Sequence, residues 1–430
     1  MTLSQNDRSI AGFTMTGHAL VHWFETSIPI FLVVWLAELE VSVALLGIVV
    51  ALGYAPFGIG ALPGGILADR YGPKRLVLVC LVGMSLSFLV LAVAIVLDPA
   101  TRIYAIAAGL ILWGVAASVY HPAGLALIST GVEDRGTVFA WHGIAGNVGI
   151  ALGPFVAATL LIFLEWPVVA ALLAIPGLLA AAYGLRARFD STAAVDDDVD
   201  VGPEAASLSD LVSSSRALFA SAFALVFVIV TFEGLYYRGM LTYLPEILHG
   251  TPAIGDIEVF PALEAYDIDP GFYVYVGLLV VGMAGQYAGG KLTNRISPAR
   301  GLTVLFGVFA LLALAFVPVV NMGIGPIVLL CGVFGFFLFA IQPFYQEAVA
   351  VYTPPDGRGL SYGYTYLGEF GLGSASIAIG GFALGASVSS FFYLVAGFAL
   401  AGALLSVGLL VGVDRLGLTM GGPAGANSDD

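Results

Sequence analysis

Twelve apolar runs divide the chain, at about 10–37, 43–68, 75–97, 103–129, 136–163, 166–188, 216–246, 271–293, 299–320, 323–352, 359–384 and 388–413. Each is long enough to cross the hydrocarbon core of a bilayer as a helix, which takes roughly 20 residues. Two longer polar stretches interrupt the runs. The first, 189–215, is rich in Asp, Ser and Ala and separates six runs from six; the second, 250–270, holds Asp256, Glu258, Glu264, Asp267 and Asp269. The pattern predicts an all-α integral membrane protein of twelve transmembrane helices.

The two sets of six resemble each other. GILADRYGPKR (65–75) aligns without gaps on GKLTNRISPAR (290–300), and FE followed by LAE (24–25, 36–38) recurs as FE followed by LPE (232–233, 244–246). HP at 121–122 answers QP at 342–343, and GNVG at 146–149 answers GEFG at 368–371. Four matches in the same order point to duplicated six-helix halves, an arrangement of transporters whose binding site lies at the midplane between the halves. Cation placement sets the orientation. With the first residues in the cytoplasm, thirteen of the fifteen cations fall on the inner side, Arg102 alone lies in an outer loop, and Arg238 is within a span. The positive-inside rule then places both termini in the cytoplasm of a multi-pass protein of the cell membrane. The expected organisation is an N-terminal six-helix bundle over 1–188, an acidic cytoplasmic linker over 189–215, a C-terminal bundle over 216–415 and a flexible cytoplasmic tail over 416–430.

Composition narrows the class. Only 10% of the 430 residues are charged, against roughly 25% in soluble domains, so little of the chain lies outside the bilayer. The net charge of −14, with Lys74 and Lys291 as the only lysines, reads as adaptation to high salt or as compositional drift, and argues against a nucleic-acid partner. Cys80 and Cys331 lie in apolar runs and suggest no disulfide. No catalytic motif, nucleotide-binding loop or cofactor signature appears, so an enzyme is not expected.

GILADRYGPKR resembles the signature loop between the second and third helices of the major facilitator superfamily, with Gly65, Leu67, Asp69, Arg70, Gly72, Lys74 and Arg75 in its pattern. The second copy keeps Gly290, Leu292, Arg295 and Arg300 but carries Asn294 in place of the acid. SVYHPAG (118–124), RGTVFAWHGIAGNVGIALGP (135–154) and YQEAVAVYTPPDGRG (345–359), with the polar first helix, resemble the fosmidomycin-resistance-like efflux branch. The resemblance implies two pseudo-symmetric six-helix bundles working by alternating access. It also implies a cytoplasmic latch of Gly65, Asp69, Arg70, Gly72, Arg75 and Arg295, in which Asp69 accepts hydrogen bonds from neighbouring helix ends when the protein is outward-open.

The stretch GHALVHWFETSIPIFLVVWL (17–36) carries His18, His22 and Glu25 at i, i+4 and i+7, on one helical face. Ionisable groups at bilayer depth mark ion, proton or substrate routes by default; the plainer reading is a polar cluster that orders packing. Two histidines without a third clustered ligand make no metal site, and none is expected. Glu233 is the counterpart of Glu25, with Tyr237 one turn on. Arg238 lies about 140° around from Glu233 and roughly 7.5 Å along the axis, so its partner is expected on another helix; Glu25 is the candidate, with an anionic substrate or a structural ion pair as the other readings. Asn147 and Glu369 occupy matching positions in the two halves and suit a central cavity. His121 and Gln342 each precede a proline, where they form a polar helix-break pair or simply satisfy backbone groups freed there. His142 and Glu347 lie nearer the cytoplasmic end, where a gate or packing role is expected. The sequence thus reads as a secondary transporter, expected to be monomeric, moving a small organic molecule by proton-coupled efflux. Uptake by proton or sodium symport is the alternative, and a non-transporting membrane sensor a remote one.

Overall fold

The structure, a computed structural model, describes residues 3–194, 208–255, 268–320, 322–354 and 358–416. Residues 195–207 of the acidic linker, the acids at 256, 258, 264 and 267, and the tail beyond 416 lie outside the described residues. The helices are α1 (Gln5–Leu39), α2 (Val43–Ile59), α3 (Ala61–Tyr71), α4 (Pro73–Ala92), α5 (Pro99–Ala117), α6 (Tyr120–Gly131), α7 (Arg135–Leu161) and α8 (Trp166–Arg186). They continue as α9 (Leu208–Phe219), α10 (Phe223–His249), the single turn α11 (Pro252–Gly255), α12 (Pro270–Thr293), α13 (Pro298–Val319), α14 (Ile324–Tyr352), α15 (Arg358–Tyr366), α16 (Ala375–Ala386) and α17 (Val388–Leu416). Among the described residues eleven helical stretches are long and apolar enough to cross a membrane, and α2 with α3, bent by 47°, makes a twelfth.

Capping and breaker residues set the boundaries. The Ser4 hydroxyl accepts the Asp7 amide and the Asp134 carboxylate accepts the Thr137 amide, satisfying donors that a helix start leaves open. Gly72, at φ 86°, takes a conformation costly for a side chain, and Pro73 opens α4 in the first turn, where a missing amide costs nothing. The seventh span begins at Phe223 rather than 216, because α9 ends at Phe219 and a turn at Ala220–Ala222 separates the two helices.

Within the first half α1 packs on α7, α4 on α8 and α5, and α2 on α5; within the second, α12 packs on α14 and α13 on α17. Small residues let these backbones approach where apolar burial between spans gives little drive. A side chain at Gly149 would strike the Ala19 carbonyl across the α1–α7 contact. The halves meet where α2 lies along α16, where α1 meets α10, and where Tyr273 of α12 stacks edge-on against Phe155 of α7.

Each end of the first half is tied. At the terminus end Asn6 donates to the carbonyls of Gly131 and Asp190 and accepts the Asp190 amide (2.8 Å), while the buried Asp7 carboxylate accepts the amides of Glu133 and Asp134. Bonds from the Thr192 amide and hydroxyl hold the exposed Asp190 carboxyl below its ordinary pKa. At the opposite end Glu38 pairs with Arg102 and accepts the Trp166 indole N–H at 2.6 Å.

Candidate functional site

Glu25 sits mid-length in α1 and is 3% exposed. One carboxylate oxygen pairs with the Arg238 guanidinium of α10, in the other half; the second lies 2.6 Å from His22 Nδ1. This is the partner on another helix that the spacing of Glu233 and Arg238 required. It is also, among the described residues, the one ion pair that joins the halves. Aromatic rings wall it in. The guanidinium lies 4.0 Å from the centre of the Phe370 ring, 5.2 Å from Tyr237 and 5.6 Å from Tyr54, and the Tyr54 hydroxyl donates to the Glu25 carbonyl at 2.8 Å. Cation–π contacts strengthen when desolvated, so the rings suit a cation held away from water.

The second half contributes two more acids. Glu233 is fully buried; one of its oxygens receives Gln342 Nε2 at 3.4 Å and the other has no partner among the described residues. Glu369 lies in a π-helical turn, Leu367–Leu372, that interrupts the eleventh span between α15 and α16. Such turns are frequent at functional sites. Here the turn presses on two neighbours: a side chain at Gly234 would strike Glu369 backbone, and one at Gly58 would strike Gly371. The Tyr345 hydroxyl stands 2.8 Å from both Gln342 Oε1 and Glu369 Oε2. A hydroxyl carries one hydrogen, so it satisfies both oxygens only if one brings a proton of its own. An amide oxygen has none to give. A proton on Glu369 Oε2 completes the series: Glu369 donates to Tyr345, Tyr345 to Gln342 Oε1, and Gln342 Nε2 to Glu233.

Four histidines gather beside Glu25. His18 and His22 have their Nε2 atoms 3.1 Å apart, His18 Nδ1 lies 2.7 Å from the His142 carbonyl, and the His18 and His142 rings stack at 3.9 Å. His121 meets His18 edge-on, with ring centres 5.3 Å apart.

Several expectations change here. The pair before the two prolines is asymmetric: the helix breaks between α5 and α6 just ahead of His121–Pro122, whereas α14 runs on through Gln342–Pro343. Among the described residues neither side chain bonds to freed backbone; Gln342 lies between the acids and His121 faces histidines. His142, expected in a gate or packing role, belongs to the cluster. Asn147 is half-buried and outside the hydrogen-bonded network among the described residues, so the match with Glu369 does not extend to contacts. Glu347 is exposed. The expectation of no third metal ligand fails, since the donor atoms of His18, His22 and His121 lie within 4.8 Å of one another. In the latch, Asp69, Arg70, Arg75 and Arg295 are exposed. Arg70 lies over Tyr71, and Asp69 has no ion pair or side-chain hydrogen bond among the described residues. Sequence reasoning missed Tyr345, three residues after Gln342 and hence on its face, as well as Tyr54 and Phe370.

A model of the Major Facilitator Superfamily matches residues 14–378. Among solved structures the chain is similar to a variant of the nucleoside transporter NupG, at 15% identity, covering 94% of this chain and all of that one with a TM-score of 0.73. It is also similar to the xylose transporter XylE from E. coli in an inward-open conformation (14% identity, 94% and 95% covered, TM-score 0.72). A bacterial homolog of the human lysosomal transporter Spinster matches at 14% identity, with 98% and 100% covered and a TM-score of 0.71. Comparison with curated proteins by sequence gives no match.

Proposed function

Because the chain belongs to the major facilitator superfamily, we propose that it moves a small organic molecule across the cytoplasmic membrane by alternating access, coupled to protons and in the direction of efflux. The observation that carries the coupling is the series Glu369–Tyr345–Gln342–Glu233, whose hydrogen bonds count correctly with one proton on Glu369. Alternating access needs contacts that one conformation makes and the other breaks. Glu25–Arg238 is such a contact, joining the halves near mid-bilayer. In this reading both termini face the cytoplasm, and the unpartnered Asp69 belongs to a conformation in which the latch is undone. A substrate with an anionic group would compete with Glu25 for Arg238, and the aromatic wall of Tyr54, Tyr237 and Phe370 suits a planar or apolar body.

The test is proton and substrate flux measured together in proteoliposomes, with candidate compounds drawn from susceptibility profiling of a strain lacking the protein. Glu369→Gln keeps the shape but holds no exchangeable acid proton. Proton-coupled net transport is expected to vanish while substrate binding survives; full coupling in this variant would remove Glu369 from the mechanism. Uptake is the second reading, favoured because the fold neighbours include a D-xylose–proton symporter. Oriented vesicles separate the two, since substrate-driven proton movement runs with the substrate in symport and against it in antiport.

A further inference from the structure

We propose that His18, His22 and His121 form a binding site for a divalent transition-metal ion of the zinc class. The argument starts from which ring nitrogens carry hydrogen. A carbonyl oxygen only accepts, so His18 Nδ1, 2.7 Å from the His142 carbonyl, is the protonated nitrogen of its ring. A carboxylate likewise accepts, so His22 Nδ1, 2.6 Å from Glu25 Oε2, carries the hydrogen of its ring. In each neutral imidazole the remaining nitrogen, Nε2, is then a bare lone pair. These two lone pairs point at each other across 3.1 Å. A positive species between them, an extra proton or a metal ion, resolves the repulsion.

His121 decides between the two. A proton bridging two nitrogens has no use for a third, whereas zinc takes three imidazoles and a water at Zn–N distances of about 2.0–2.1 Å. Tetrahedral geometry at that bond length sets neighbouring nitrogens about 3.3 Å apart, close to the His18–His22 spacing. All three donor atoms lie within 4.8 Å of one another, so the third ring needs to approach by about 1.5 Å at most.

The surroundings are those of a metal site. Histidine ligands almost always donate their other N–H to a carboxylate or a backbone carbonyl, and here Glu25 and the His142 carbonyl are those acceptors. The His142 ring stacks on His18, and its Nε2 faces the Tyr120 hydroxyl at 3.2 Å. That hydroxyl gives its one hydrogen to the Thr14 carbonyl, so His142 Nε2 must be the donor and is not free to ligate. Gly146 leaves the room the His18 ring occupies. His18 and His22 are half-buried rather than sealed, leaving a side for water as the fourth ligand. Arg238 pairs with the other oxygen of Glu25, leaving Oε2 to His22.

The site does not depend on the direction or coupling of transport, and neither does its test. Purified full-length protein in detergent is titrated with zinc chloride against a chelating dye, and separately loaded with one equivalent of copper(II) for pulsed EPR. One zinc per chain is expected, with three imidazole nitrogens coupled to the copper; the EPR count needs no variant. His18→Gln, His22→Gln and His121→Gln should each weaken zinc binding at least tenfold, with His249→Gln unchanged. Glu25→Gln, which acts through His22, should weaken it about 10–100-fold. No stoichiometric binding, two or fewer imidazoles, or undiminished binding in folded His121→Gln would overturn the assignment and leave a shared proton as the occupant.

Discussion

At the scale of single residues, Arg238 is held from several sides at once. Its charge is buried, its ionic partner Glu25 belongs to the other half, and three rings surround it. Removing one member of a buried pair leaves the other uncompensated, at about 3–5 kcal/mol, whereas removing both is far cheaper. Arg238→Gln is therefore expected to lower thermal stability strongly, and Glu25→Gln/Arg238→Gln to recover most of the loss; additive losses in thermal unfolding would show that the two charges are not coupled. Tyr345→Phe removes one hydroxyl from the middle of the proton series without changing the packing volume. Coupled flux should slow more than tenfold with substrate affinity nearly unchanged, and an unaltered rate would place the proton route elsewhere. The Glu25–Arg238 contact could be anticipated because a charge at a fixed offset in each repeat limits where its partner lies. Tyr345 could not, because a tyrosine in an apolar run looks the same whether it fills space or carries a proton.

At the scale of elements, the spans were legible because apolar length is a direct demand of the bilayer. What was not legible is how each helix is rotated. That depends on what each small residue faces, as Gly149 faces the Ala19 backbone and Gly146 the His18 ring, and hydropathy is blind to it. Hence two histidines from distant segments joined His18 and His22 unforeseen. The prolines supply an element-scale prediction. Pro122 lies in the first turn of α6, where it removes no intrahelical bond, while Pro343 lies inside the unbroken α14. An interior proline costs about 3 kcal/mol in an ordinary helix, less where neighbours satisfy the freed carbonyl. Pro343→Ala should raise the melting temperature and Pro122→Ala leave it nearly unchanged; the opposite order would mean that α14 is strained at some other point.

At the scale of the whole molecule, the latch and the orientation can be tested together. The Asp69 carboxylate is exposed here, so Asp69→Asn should not alter the stability of this conformation. In the opposite conformation it is expected to accept a charge-assisted hydrogen bond worth about 1.5–3 kcal/mol, and losing that shifts a balanced equilibrium toward the present state by about tenfold or more. Turnover should fall accordingly, and a wild-type rate would reduce the loop to a solvated turn. For orientation, a cysteine at Ala193 should be protected from an impermeant thiol reagent in intact cells, and one at Ala100 should react. Cys80 and Cys331 are buried and give little background. The reverse labelling pattern would invert the topology.

The clasp at Asn6 and Asp7 also carries a schedule. Its partners are Gly131, Glu133, Asp134 and Asp190, so the start of α1 is tied down by segments made well over a hundred residues later. Chains fold domain by domain from the N-terminus as they are synthesised, yet α1 has to wait in the bilayer, with its buried acid exposed, until the sixth span has been inserted and Asp190 has emerged. A nascent chain halted at residue 187 should still present α1 to protease or to membrane chaperones, and one halted far enough on to release residue 194 should not. The order of translation, rather than any single contact, then decides when the first half becomes a closed body.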